Sequence, residues 1–283
     1  MERLHHLASP RPRVAASFLA VIIFFLIAHY GFQVGVLPSV LEFSTIRPIE
    51  QSVRRPHWPL TADYDIVVAY FNEGQESLTN AIKDVVDRLP LFARHRVIIY
   101  AKSGERSEQA LEDLLILGDE IVWLANVGRE GETYLTHITR HYETAATNIA
   151  KHTIFMQAHI AWGDLMLPRL ETLNSRVGFM SLAPYVNQTC GIDYKGNEFP
   201  RMADIYSAFR GELCPPFPVL ATWAGQFVVS RKRILDNELQ TYQKLLDLFH
   251  APPEHWIWKE GWWNNEPSNP TLGTRFIQAS RRT

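Results

Sequence analysis

The sequence is short of several things. Among its 283 residues are only two cysteines, and 28 Lys and Arg nearly balance 30 Asp and Glu, leaving a formal net charge of −2. Without an excess of positive charge there is no basic stripe, so the electrostatic footprint of a nucleic-acid binder is missing. No internal repeat and no low-complexity tract occurs. Nor is there a Gly-x-Ser-x-Gly turn, which removes the serine nucleophile elbow of a hydrolase built on an α/β sheet. The most telling absence is local: from Val14 to Pro38 there is no Lys, Arg, Asp or Glu.

That uncharged run is centred on Phe18 to Ala28. A helix of about 20 apolar residues crosses a bilayer core of roughly 30 Å, so the run is long enough to span a membrane. Arg3, Arg11 and Arg13 precede it, while Glu42, Arg47 and Glu50 follow. The positive-inside tendency therefore favours a cytoplasmic tail (1–13), a signal-anchor helix (14–38) and a lumenal body. A cleaved signal peptide is the competing reading, but its apolar region is usually about 7 to 15 residues with a small-x-small cleavage site, and this run is longer and leads into His29-Tyr30. Residues 39–62 hold Pro48, Pro56 and Pro59 and show no sustained period, as suits a stem. The expected location is a single-pass membrane protein of the secretory pathway, in the endoplasmic reticulum or Golgi.

The remaining 63–283 segment, in a chain that is 46% hydrophobic, is enough for one core of ordinary size. In an oxidising lumen Cys190 and Cys214 could bridge a loop of about two dozen residues, a closure worth roughly 3 kcal/mol; two unpaired thiols are the alternative. Asn187-Gln188-Thr189 is a glycosylation sequon, usable on a lumenal surface loop.

Along the body, short apolar runs alternate with helical periods. Strands are predicted at Asp65 to Tyr70, Arg96 to Tyr100, Glu120 to Leu124 and Thr153 to Met156. Helices are predicted at Ser77 to Arg88, Glu105 to Leu117 and about Glu130 to Tyr142, with another helix or a continuation to Ala150. This order means parallel pairing, and open parallel sheets place ligands at the carboxyl ends of their strands. Asn72-Glu73, Lys102, Asn126 to Glu130 and Gln157 to His159 all lie just past such ends. Later come a helix from Gly163 to Leu173, a strand from Phe179 to Ala183, a loop-rich stretch from Val186 to Pro218, a buried strand from Trp223 to Ser230 and an amphipathic stretch from Ile234 to Phe249.

The densest site pattern is Asn126-Val127-Gly128-Arg129-Glu130, with Gly131 behind it, where a strand yields to a helix. Glycines bracketing an arginine and a carboxylate can gather backbone donors, positive charge and an acid on one ligand. This run, with Tyr134-Leu135, His137-Ile138, Phe155-Met156-Gln157, Val67 to Glu73, Ile99 to Lys102, and Gln226 to Arg231 with Ile234, resembles the fungal family named domain of unknown function 3431. The resemblance spans roughly residues 62 to 275.

Members of that family resemble, in layout, nucleotide-sugar glycosyltransferases of the A-type fold. The resemblance implies an α/β fold, a mostly parallel sheet flanked by helices, and a nucleotide-sugar donor whose sugar passes to the hydroxyl of a glycan or of a small hydrophobic natural product such as a terpenoid alcohol, a role that fits secondary metabolism. Under it, Asn72, Glu73, Lys102, Asn126, Gly128, Arg129, Gln157 and His159 face the donor. Arg129 pairs with phosphate in a bidentate manner and Gly128 permits close backbone approach. Glu130 or Glu260 serves as base; alternatively Glu130 is only the ion-pair partner of Arg129. Trp223 and Gln226 lie on the acceptor side, with core packing as the plain alternative for Trp223. The aromatic tail with Trp256, Trp258, Trp262 and Trp263 could close over an acceptor or merely cover the sheet.

Where the A-type layout carries a metal-binding Asp-x-Asp, this chain has Gln157-Ala158-His159. Those side chains bring no negative charge, so Mn2+ or Mg2+ would be held weakly unless another acid such as Asp164 supplied it. His159 could equally cap its strand. The C-terminal end also departs from the family, running Thr274-Arg275-Phe276-Ile277-Gln278-Ala279 where an acid is expected. A noncatalytic sugar- or partner-binding member of the same fold is therefore the second reading.

Overall fold

A computed structural model describes residues 51–56, 61–103, 106–192, 196, 202–222, 225–252 and 254–255. The expected cytoplasmic tail, transmembrane helix and most of the stem lie outside the described residues, as do Trp223, Glu260 and the tryptophan-rich tail. Among the described residues no helix is long and apolar enough to cross a membrane.

The elements run β1 (Gln51–Arg54), β2 (Tyr64–Tyr70), α1 (Gln75–Val86), β3 (His95–Ala101), α2 (Glu108–Leu117), β4 (Glu120–Trp123), α3 (Arg129–His141), α4 (Ala145–Asn148), β5 (His152–Gln157), α5 (Gly163–Glu171), β6 (Phe179–Ser181), β7 (Tyr185–Gln188), α6 (Met202–Arg210), β8 (Val219–Thr222), β9 (Phe227–Ser230), α7 (Arg231–Leu235) and α8 (Leu239–Phe249). The protein is mixed α/β. A seven-stranded sheet has the order β1-β4-β3-β2-β5-β9-β6, and β7 with β8 forms a separate ribbon.

Strands β4, β3, β2 and β5 are mutually parallel. Their middle stretches are apolar because both faces are covered. Val68, Ile99, Ile121 and Met156 pack with Leu78 and Ile82 of α1 and Leu114 of α2 on one face. Val67, Ile98, Val122 and Phe155 pack with Tyr134 and Ile138 of α3 and Ile234 of α7 on the other. Neighbouring strand residues thus serve opposite cores, as a period of two requires.

The chain winds outward from β2 to β3 to β4, then returns across the sheet to lay β5 against the other side of β2. The reversal creates a topological switch point between β2 and β5, the place where open α/β sheets hold ligands.

Strand β9 runs antiparallel to β5 and to β6, so the sheet is mostly parallel, as the resemblance implies. Two departures from the sequence reading lie elsewhere. Residues Gln51–Arg54, within the expected stem, form an edge strand antiparallel to β4. The stretch read as one amphipathic unit from Ile234 divides into α7 and α8, and α7 starts where Ser230 Oγ accepts the Arg233 N–H at 3.2 Å. The Cys190–Cys214 disulfide is formed, with Cα atoms 6.3 Å apart. Asn187 lies exposed on β7.

Candidate functional site

A cleft of about 530 Å³ opens at the carboxyl ends of the four parallel strands. Its wall takes Ala69, Tyr70, Phe71 and Glu73 from the exit of β2, Lys102 from β3, Asn126, Arg129 and Glu130 from β4 and the start of α3, and Gln157 and His159 from β5. Of the ten residues in this wall, six come from elements other than β2's own exit. Six of the eight expected donor-side residues meet here, together with Glu130. The aromatic pair Tyr70-Phe71 was not assigned a role from sequence, although it ends the apolar run of β2 at the strand exit.

Arg129 has an exposed side chain and a left-handed backbone, φ 47°. A non-glycine residue adopts that conformation at a cost of order 1–3 kcal/mol when its surroundings enforce it. Its guanidinium makes no ion pair among the described residues, so Glu130 is not its partner. Glu130 is nearly buried, and its methylene carbons lie against Gly225: a Cβ built there would stand 2.6 Å from Glu130 Cγ. Tyr134 Oη donates to the Gly225 carbonyl at 2.7 Å and docks the segment before β9 onto α3.

In the same cleft stand Glu73 and His159, with His159 Nδ1 3.9 Å from Glu73 Oε1. Glu73 Oε2 accepts the Phe71 N–H at 2.9 Å. Partial burial opposes ionisation of Glu73, but His159 and that amide outweigh it and hold its pKa below the usual carboxylate value. Glu73 in turn raises the His159 pKa above 6.5 against desolvation, and the Glu130 charge adds to the effect. His159 is also fixed through its carbonyl, which accepts from Gln226 Nε2 at 3.0 Å.

A histidine with a raised pKa contributes positive charge below that value and loses it as pH rises. We expect binding of any anionic ligand in the cleft to weaken as pH climbs through and above 6.5, and Glu73→Gln to move that decline to lower pH, because the group raising the histidine is gone. A proton NMR titration of His159 from pH 5.5 to 8.5 checks this; a midpoint indifferent to Glu73 defeats the expectation.

Other assignments shift. Gly128 (φ 64°) does not offer its open face to the cleft: a Cβ there would stand 2.4 Å from Phe249 Cδ1 and 2.8 Å from Glu132 Cβ. Its missing side chain is filled by the ring of α8 rather than by phosphate. Gly128→Ala combines a left-handed penalty with overpacking, and should lower stability by about 2–4 kcal/mol in urea unfolding; a change under about 0.5 kcal/mol contradicts that packing argument. Lys102 reaches the cleft wall, but its ammonium donates to the carbonyls of Val127 and Arg129 at 2.5 and 2.6 Å. Gln226 is wholly buried, not open to an acceptor. Asn72 is exposed and outside the wall, and so is Asp164 in the first turn of α5. His137, in the same run as Arg129, is a core residue 3.1 Å from Tyr100 Oη, its pKa driven well below 6.5 by burial and by His141.

An Asp-x-Asp does exist, Asp63-Tyr64-Asp65, but at the opposite end of β2. Asp65 is bound to Arg96, and Asp63 Oδ1 accepts from Lys151 Nζ at 2.8 Å. Among the described residues no three His, Cys, Asp or Glu side chains gather to hold a metal. In the cleft, Glu73 lies beside His159, and Glu130 is the other carboxylate of the wall. Among the described residues, two carboxylates with one histidine engaged by an acid are a poorer donor set for a hard divalent cation than an Asp-x-Asp.

The fold and the cleft define a mixed α/β protein with a polar-lined cleft at a switch point. Residues 118–256 match the family model described as Protein of unknown function (DUF3431), in agreement with the resemblance carried by the Asn126 to Glu130 run. No curated protein matches the chain. Among solved structures it is similar to GalNAc-T7 crystallised with UDP, GalNAc and Mn2+, at a TM-score of 0.33 and 13% identity. That alignment covers 62% of this chain and 36% of the GalNAc-T7 chain.

Proposed function

We propose that the protein is a membrane-anchored glycosyltransferase of the A-type layout that moves a sugar from a nucleotide-sugar donor to a hydroxyl on a glycan or a small hydrophobic alcohol. The observation that carries the reading is the exposed Arg129 guanidinium, without a carboxylate partner among the described residues, in a polar cleft at the switch point. A guanidinium so free can take a diphosphate through two parallel hydrogen bonds. His159, whose pKa is raised by Glu73, adds positive charge at the same cleft when protonated.

In this scheme the sugar's anomeric carbon breaks its bond to the diphosphate oxygen and forms one to the acceptor oxygen. Charge building on the departing diphosphate is offset by Arg129 and His159. Glu130, at the cleft wall, receives the acceptor proton. No metal step is assigned. The Cys190–Cys214 disulfide and the exposed sequon at Asn187 support a body held in the lumen of the endoplasmic reticulum or Golgi, and the uncharged Val14 to Pro38 run supports the anchor.

The test is release of free nucleotide from a panel of nucleotide sugars by the full chain, with and without Mn2+ and with candidate acceptors. Turnover with any donor supports the transferase. Donor binding without turnover under every condition replaces it with the sugar-binding reading, and absence of donor binding sinks both.

A further inference from the structure

Beneath the Arg129 corner lies a buried group of charges that the proposed chemistry leaves unused. Lys102 Nζ, besides its bonds to the Val127 and Arg129 carbonyls, stands 2.7 Å from Glu132 Oε2. Both side chains are almost fully buried. Glu132 Oε1 accepts from Thr136 Oγ1 at 3.1 Å and lies 3.4 Å from His250 Nε2. His250 is the C-cap of α8. The residue before it, Phe249, is fully buried and fills the space over Gly128 and Gly131.

A buried ammonium is tolerated only when acceptors surround it. Desolvation depresses the Lys102 pKa, and the charges of Glu132 and Glu130 push it back up. Those acceptors are the backbone of the corner itself, where residues 128 and 129 are successively left-handed. Arg129, a non-glycine residue in that region, persists there only where several contacts over-determine it. Here the contacts arrive from two sides, Lys102 from the floor of the sheet and Phe249-His250 from the C-terminal helix.

We propose that Lys102, Glu132 and His250 form a buried latch through which docking of helix α8 sets the Arg129 corner, so that the donor site is regulated by the C-terminal helix. The functional consequence rests on Arg129 being the diphosphate ligand; the latch itself does not. When α8 is seated, its histidine holds Glu132, Glu132 holds Lys102, and Lys102 holds the carbonyls on either side of Gly128. When α8 lifts, Glu132 loses a partner, Gly128 is uncovered, and the corner relaxes and carries the guanidinium out of line. Lys102, Glu132 and His250 are positioning residues, acting through Arg129.

Hydrogen–deuterium exchange on the full chain tests this, comparing amides of residues 125–133 with those of β2 and β5 in Lys102→Met, Glu132→Gln and His250→Gln. The expected result is exchange at least about tenfold faster in 125–133, the effect of one lost charged hydrogen bond, with β2 and β5 unchanged. UDP, GDP and ADP serve as probes of the site: whichever binds the natural sequence should bind His250→Gln about tenfold more weakly. Should Lys102→Met fail to fold, His250→Gln, near the surface end of the network, decides the matter. Unchanged exchange at 125–133 overturns the latch, and so does equal acceleration across the sheet. If the natural sequence binds none of the three nucleotides, the transferase reading is in difficulty, while the exchange comparison still judges the latch.

Discussion

Arg129→Ala should reduce nucleotide release from the accepted donor by on the order of 10²-fold or more, the loss seen when one preorganised donor to developing charge is removed. The argument is electrostatic: the guanidinium is the cleft's cation without an ion-pair partner among the described residues, and Lys102 cannot replace it because its ammonium is held by two carbonyls and Glu132. Arg129→Lys keeps the charge but loses the planar fork, so it should recover only part of the rate. Because Arg129 sits at φ 47°, alanine alone confounds side chain with backbone. Arg129→Gly removes the confusion, since glycine adopts that conformation without penalty. Arg129→Gly should be as inactive as Arg129→Ala while unfolding at equal or higher urea. Turnover within about twofold of the natural sequence in either variant removes the guanidinium from the mechanism.

How far the site could be read from sequence depended on which signal each residue carried. Glu73, Lys102, Asn126 and Gln157 follow continuous apolar runs that end abruptly, and the alternation of runs with helical periods brings such ends to one edge. What a residue does there is another question. Gly128 reads as a phosphate-cradling glycine, yet its open side is filled by Phe249, a contact that only the docking of α8 creates. Lys102 reads as a donor ligand, but its partners are two carbonyls and Glu132, and backbone acceptors leave no mark in a sequence. The direction of β9 was equally hidden: Phe227 to Ser230 is as apolar as a parallel strand, and only the path of the preceding chain reverses it. Gln51–Arg54 looked like stem because its pattern acquires meaning only against the edge of β4.

The largest loss of stability should come from the end of the sheet away from the cleft. Asp65 and Arg96 face each other in register at the starts of β2 and β3, and both are fully buried. Arg96 Nε and one terminal nitrogen donate to the two oxygens of Asp65 at 2.6 and 2.8 Å. Asp65 also accepts the Ala150 N–H at 2.6 Å, and Arg96 donates to the Thr147 carbonyl at 3.1 Å. The pair thus ties β2 and β3 to the segment leading into β5, on the underside of the switch point. Asp65→Ala leaves a guanidinium buried without its counter-charge and an amide without its acceptor, and should cost about 3–5 kcal/mol, a large part of the stability of a domain this size. Urea unfolding of Asp65→Ala, Arg96→Met and Asp65→Leu with Arg96→Met checks the cause: the double variant, with neither charge, should recover much of the loss of either single one. Additive losses would instead mean that the carboxylate and guanidinium act separately, through Ala150 and Thr147. In either case β5 is set against β2 by polar bonds at its start, and the spacing between Glu73 on one strand exit and His159 on the other follows from that alignment.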